Sequence, residues 1–274
     1  MHSEETSLVR IETTEGGIAE VTIARPAVRN ALNEPTALAL NDALATVAAD
    51  PQVRCVILSG EGSAFCAGAD LAEFEKASTQ PASQRLATLF LPALRSMMTM
   101  EKPVIAAVSG AAAGIGVSYV LASDMVVMGR SAYLKLAFIN IGLIPDGGAC
   151  WHLVRKLGHA QAFEMAALAT PMDAERCVAL GLANRAVEDD QVLAEARAMA
   201  QALVAQSPQA LGATKRAMRQ SANLSLDDTL TLEGALQDEC KATDDFHARQ
   251  PNKRAVHQRL RLAQILQAQG RRPS

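Results

Sequence analysis

Apolar and polar positions alternate along Leu8-Val-Arg-Ile-Glu12 and again along Ile18-Ala-Glu-Val-Thr-Ile23, on either side of Glu15-Gly16-Gly17. Side chains of a strand point to opposite faces in turn, so these runs predict a β-hairpin. Arg25-Pro26 ends it, because proline has no N–H for the ladder. From Asn33-Glu-Pro35 to about Ala49 the apolar residues recur at helical spacing, with asparagine as N-cap and proline inside the first turn; Asp50-Pro51 closes that helix. The continuous apolar runs Cys55–Leu58 and Val104–Val108 predict short strands buried on both faces. Leu86 to Met98 predicts a helix, and Met125–Met128 and Tyr133–Leu136 two more strands. Ala149 to Lys156 reads as a helix stopped by Gly158. Helices follow at about 160–168, 173–180, 190–206, 208–221 and 225–241, then an amphipathic one from about Asn252 to Gln269. Strands thus fall almost entirely before residue 140 and helices after it, which predicts an α/β core of largely parallel strands followed by a helical half.

The centre of the chain is residues 104–148. The strand Val104–Val108 stops at Ser109-Gly110, and a small-residue patch leads into Val117-Ser-Tyr-Val-Leu-Ala-Ser123, read as strand, tight turn, helix. Gly114 and Gly116 bracket the helix start, where unpaired N–H groups and the positive dipole end favour negative charge. A Rossmann phosphate loop would need a further glycine where Tyr119 stands, and an acidic residue closing a strand some 20 residues on is missing.

Composition narrows the function classes. With 49% hydrophobic and 20% charged residues, the 274-residue chain is ordinary globular material. Its 3% aromatic content and net charge of −3 disfavour nucleic-acid binding, which relies on stacking platforms and basic surfaces. The charge is uneven: from Lys241 to Ser274 eight basic residues face only Asp244 and Asp245, a local +6. That basic tail reads as a solvated helix face or as a weak phosphate contact. The five cysteines, at 55, 66, 150, 177 and 240, show neither a CxxC pair nor a histidine at ligand spacing, which suggests reduced thiols and no metal site. No apolar run approaches the roughly 18 residues of a membrane span, and the polar start is no signal peptide, so a cytoplasmic protein is expected.

The order of the motifs resembles the enoyl-CoA hydratase/isomerase family, the crotonase fold. The pieces that carry it are Arg25-Pro26 with Asn30-Ala-Leu-Asn33, then Phe65-Cys-Ala-Gly-Ala-Asp70, then Lys102-Pro-Val-Ile-Ala-Ala-Val-Ser-Gly110 with Ala113-Gly-Ile-Gly116, then Ile141-Gly-Leu-Ile-Pro-Asp-Gly-Gly148. They span about residues 8 to 240; the last thirty or so residues fit poorly, lacking the family's Glu-Gly pair. The resemblance implies a crotonase-like spiral of ββα units over 1–200. It also implies a C-terminal helical region over 201–274 that supports oligomerisation, in a homotrimer or a dimer of trimers, and covers the active site. It further implies an acyl-CoA substrate, coenzyme A entering as part of the thioester rather than as a permanent cofactor. The thioester oxygen would sit in an oxyanion hole of two main-chain N–H groups, from Ala69 and Ile115. Arg25, Ala67 and Asp70 would lie along the CoA, with Lys215 a weaker candidate.

At the positions of the family's two hydratase glutamates stand Ser118 and Phe138, and neither can act as a carboxylate base. Asp146 remains, in the Pro-Asp-Gly turn where family isomerases place an aspartate over the substrate's α and γ carbons. One carboxylate suffices for a 1,3-proton shift; plain turn chemistry is the alternative reading of the same residues. Asp70 also reads as a helix cap, and Glu73 and Glu75 as solvated or as reaching over the acyl group. Cys66 lacks a base partner, and there is no Gly-x-Ser-x-Gly elbow. Phe90, Leu94, Ser118, Phe138 and Trp151 are the candidate pocket residues, core packing being the alternative for the large apolar ones. A phenylalanine in place of a glutamate would dry the site and raise the pKa of Asp146. The expected function is double-bond isomerisation through an enolate. The alternatives are hydration of an enoyl-CoA with another acid, Glu73 or Glu75, and a catalytically idle CoA-thioester binder.

Overall fold

The computed structural model describes residues 7–14, 16–72 and 80–250. The expected helix over 252–269, the segment 77–79 and Glu73 and Glu75 lie outside them. The chain forms two compact units, Met1–Arg219 and Gln220–Ser274.

In the first unit β1 (Val9–Thr13) and β2 (Ile18–Ile23) form the antiparallel hairpin, with Val9 opposite Ile23. β2 then pairs in parallel with β3 (Cys55–Gly60), β3 with β5 (Val104–Val108), β5 with β7 (Met125–Gly129), and β7 with β10 (Arg185–Val187). A second sheet joins β4 (Ala64–Cys66), β6 (Ala111–Ala113) and β8 (Tyr133–Lys135) in parallel, with β9 (Met172–Asp173) antiparallel at its edge. The chain therefore alternates between the sheets, one strand in each, as it winds from β3 to β8, and helices return it between turns.

Both faces of the six-stranded sheet are covered, and this is why its strands are continuously apolar. Val56, Leu58, Val104, Ala106 and Val108 face the main core, while Cys55, Ile57, Ile105 and Ala107 face Val192, Ala196, Met199 and Ala200 of helix Val192–Val204. Each fully buried valine, leucine or isoleucine contributes roughly 1.5–3 kcal/mol of transfer free energy. Asn33 caps helix Glu34–Ala49 by accepting from Thr36 N, with proline in the first turn.

Three expectations change. The small-residue patch after Gly110 is not only a turn: Ala111–Ala113 is strand β6. β9 and β10 lie beyond residue 140, too short to leave a pattern and held by pairing with β8 and β7. The helix expected from Leu86 begins as a π-helical turn, Leu86–Phe90, and continues as Leu91–Thr99.

The second unit contains helix Leu226–Lys241, capped by Ser225, and helix Asp244–Arg249, capped by Thr243. Among the described residues no helix is long and apolar enough to cross a membrane.

Candidate active site

Three segments meet at one pocket: the chain leaving β4, the start of helix Ile115–Ala122, and the turn Pro145–Gly148. The first is set by Asn30, a fully buried side chain whose left-handed backbone (φ 57°) suits asparagine better than most residues. Its amide donates to Glu61 O (2.9 Å) and Ala64 O (2.7 Å), and its carbonyl oxygen accepts from Arg25 N (2.8 Å). This pins the loop before β4 against the Asn30–Asn33 segment. Beyond β4, Leu32 N donates to Gly68 O (2.8 Å) and Asp70 N to Leu32 O (2.9 Å). In extended chain successive amides point to opposite sides. The Ala69 N–H therefore points away from Leu32, and among the described residues it has no acceptor.

Gly68 has φ +102° and Gly114 φ +52°, and a Cβ added to Gly114 would lie 3.6 Å from Gly68 Cα. The two glycine backbones thus pack against one another, bringing Ala69 and Ile115, each one residue further on, to the same place. Ile115 opens its helix without a side-chain cap, so its N–H is one of the unpaired donors of a helix start. Its side chain is 2% exposed and turned under the third segment: a Cβ at Gly147 (φ +60°) would fall 2.5 Å from Ile115 Cδ1 and 2.8 Å from Ser118 Cβ. Ser118 Oγ donates to the Asp146 carbonyl (2.8 Å), clamping the turn to the helix.

The Asp146 side chain is half-buried, and desolvation pushes its pKa up to about 6. Its Oδ1 is buried with no hydrogen-bond partner among the described residues. Burial pushes the Cys66 thiol up to about 12, so it is no nucleophile at neutral pH. His152 is held neutral, its pKa lowered to about 4 by burial and by Arg219, Lys156 and Arg155.

The pocket encloses about 550 Å³. Of the residues singled out in the sequence, Ala67, Ala69, Phe90, Ile115, Phe138 and Asp146 line it together. Leu71, Leu86, Ile141 and Leu143 add apolar wall, and Arg85 and Asn140 add polar groups. Sequence reasoning did not single out these last two, or the bracing role of Asn30; only the left-handed tolerance of asparagine hinted at the latter.

Other residues stand elsewhere. Leu94 and Ser118 lie behind the wall, under Gly147. Arg25 and Asp70 pair with each other at 3.0 Å, and Arg25 also donates to Ala31 O. Trp151 is 38% exposed, with the Arg155 guanidinium 4.0 Å from its ring centroid. Lys215 is buried, its ammonium held by Met97 O (2.7 Å), Lys102 O (2.9 Å) and Asp124 Oδ2 (2.6 Å). Among the described residues no group of three His, Cys, Asp or Glu side chains could hold a metal ion.

Two interleaved, largely parallel sheets, with an apolar pocket where backbone donors and one half-buried carboxylate meet, define an α/β enzyme. The enoyl-CoA hydratase/isomerase family profile matches residues 13–255, and the chain belongs to that family, the crotonase family. It is 35% identical over 222 residues to the 1,2-epoxyphenylacetyl-CoA isomerase of Escherichia coli strain K12, covering 80% of this chain and 85% of that protein. It is 33% identical over 228 residues to the 2,3-dehydroadipyl-CoA hydratase of the same strain, covering 83% and 88%. Among solved structures, an enoyl-CoA hydratase from Polaromonas sp. JS666 superposes with a TM-score of 0.79 at 34% identity, over 85% of this chain and 91% of that one. Isomerases and hydratases thus both stand among its relatives, and a CoA-thioester substrate is consistent with the family.

Proposed function

We propose that the protein isomerises an enoyl-CoA, moving a double bond through an enolate, with Asp146 as the single base. The N–H groups of Ala69 and Ile115 hold the thioester oxygen as negative charge develops on it, each donor of this kind contributing about 2.7–4 kcal/mol when tested by deletion. The Asp146 carboxylate takes a proton from the α carbon, the electrons spread through the enolate to the γ carbon, and the carboxylic acid returns the proton there. One proton leaves and one arrives, so no water is consumed.

One observation carries this reading: Asp146 is the only carboxylate lining the pocket among the described residues, and it is partly desolvated. A base with a pKa near the working pH is well matched to abstracting a weakly acidic carbon-bound proton. The E. coli relative named as an isomerase of a CoA thioester lends support. Ala67 at the pocket wall is the proposed CoA contact. The helical region from residue 201 is proposed to support a homotrimer or dimer of trimers, with exposed Met218 (72%) and Leu226 (73%) as apolar surface that assembly would cover.

The test is a substrate panel. Wild type should convert 3-enoyl-CoA to 2-enoyl-CoA, and Asp146→Asn should lose about 10²–10⁴-fold in kcat. Efficient hydration of 2-enoyl-CoA that survives Asp146→Asn would favour the hydratase reading. Tight CoA-thioester binding with neither reaction would favour the idle binder.

A further inference from the structure

The pocket wall changes character from its inner end to its rim. Phe90 and Phe138 are buried, while Ile141 and Leu143, a few residues beyond Phe138, are exposed. Along the other lining segment burial falls in the same sense, from Phe90 through half-buried Leu86 and Arg85 to exposed Ala82. At the helical rise of about 1.5 Å per residue, the five residues from Phe90 to Arg85 carry the arginine about 7 Å toward the rim. Asn140, also exposed, belongs to the outer part of the first segment. Asp146 lies elsewhere, in the turn packed over Ile115.

The direction of Arg85 is built into its helix. In an α-helix, positions five apart point about 140° away from one another. Here Leu91 N donates to Leu86 O, five residues back, so the turn is one residue wider than an α turn. The wider turn brings Arg85 and Phe90 to one side, and both line the pocket. Pro92 starts the break, having no N–H for Thr88 O. Asn41, on helix Glu34–Ala49, sustains it: its Nδ2 donates to Leu89 O (3.1 Å) and its Oδ1 accepts from Ala93 N (2.9 Å), the two groups that a single ordinary helical bond would join.

We propose that the outer part of the pocket is a subsite for a carboxylate at the far end of the acyl chain, so that the preferred substrate is a CoA monothioester of an unsaturated dicarboxylic acid. This rests on the enoyl-CoA reading of the site. The Arg85 guanidinium offers a planar fork of donors that matches a carboxylate, and the Asn140 amide adds a further donor. Charge also sets the orientation of the chain. The free carboxylate is repelled by Asp146 at the thioester end and drawn to Arg85 toward the rim. Asn41 is a positioning residue for Arg85, acting through the helix break.

The test uses two saturated acyl-CoA thioesters of equal chain length, one ending in a carboxylate and one in a methyl group, titrated by calorimetry so that binding is read without turnover. Arg85→Met should bind the carboxylate-ended thioester roughly 10–100-fold more weakly than wild type does, with the methyl-ended one unchanged. Asn41→Ala should lose part of the same preference; equal weakening of both thioesters would make Asn41 merely structural and overturn its role. A wild type that does not prefer the carboxylate-ended thioester over its Arg85→Met variant would overturn the subsite. So would an Arg85→Met loss shared by the methyl-ended thioester and free CoA, which would place the guanidinium on a CoA phosphate. If wild type binds neither thioester, the enoyl-CoA reading itself fails; if it binds and isomerises methyl-ended 3-enoyl-CoA without discrimination, only the subsite falls.

Discussion

Replacing Asp146 with asparagine should make the protein more stable at pH 8 while disabling it. Desolvation raises the carboxyl from 3.8 to about 6, so the folded protein binds this proton more tightly than the unfolded chain does. A group raised in this way contributes stability that is fully present below pH 3.8 and is lost as pH rises through about 6. The shift of about two units corresponds to an upper figure of about 3 kcal/mol. Because the side chain is partly open to the pocket, solvent screening reduces this to about 1–2 kcal/mol. Asparagine carries no charge to desolvate. At pH 8 the variant should melt about 2–8 °C higher than wild type, each kcal/mol being worth about 2–4 °C in a chain of this size. The advantage should shrink toward zero near pH 4. Paired thermal melts across pH 4 to 8 measure this directly. A difference in Tm that does not vary with pH would refute the reasoning, since it would show that Asp146 carries no raised pKa in the folded state.

Other consequences follow from the same geometry. The kcat/KM of the wild type should rise with pH through about 6 and then level, because the base acts only when deprotonated; a flat profile between pH 5 and 8 would contradict this. Gly116→Ala places a Cβ 2.5 Å from Cys66 O, a backbone atom that cannot swing aside, so the helix start must lift off β4. A loss of about 1–3 kcal/mol in stability is expected by equilibrium unfolding, and at least tenfold in kcat/KM as the Ile115 amide moves. Lys215→Met removes the ammonium that ties Met97 and Lys102 carbonyls to Asp124, and should cost about 3 kcal/mol in denaturant unfolding. KM for the thioester should hardly change; a large rise in KM with stability intact would place Lys215 on the CoA instead.

The parts of the fold legible in the sequence are those whose burial leaves a repeating signature. Cys55–Leu58 and Val104–Val108 read as strands because helices cover one face and the main core the other. The Asn33 cap is equally local. Ala111–Ala113 is invisible by the same logic, since three alanines carry no strand preference and their pairing with β4 and β8 is decided far along the chain. The pocket was legible as a set of motifs in order, which is how Ala69, Ile115, Phe138 and Asp146 could be named together. What the motifs do not encode is direction. Arg25 and Asp70, 45 positions apart, pair with each other, a contact that neither motif announces when read singly. Likewise Trp151 is apolar and near the Asp146 turn, but its place on the helix that starts at Ala149 and breaks at Gly158 (φ 73°) turns it toward Arg155 and solvent.

The central claim is that one carboxylate moves one proton between two carbons, and isotopic labelling tests it most directly. With 3-enoyl-CoA deuterated at the α carbon, turnover should show a primary isotope effect on kcat/KM, and part of the deuterium should appear at the γ carbon of the 2-enoyl product. Product formed with neither an isotope effect nor label at the γ carbon would contradict it.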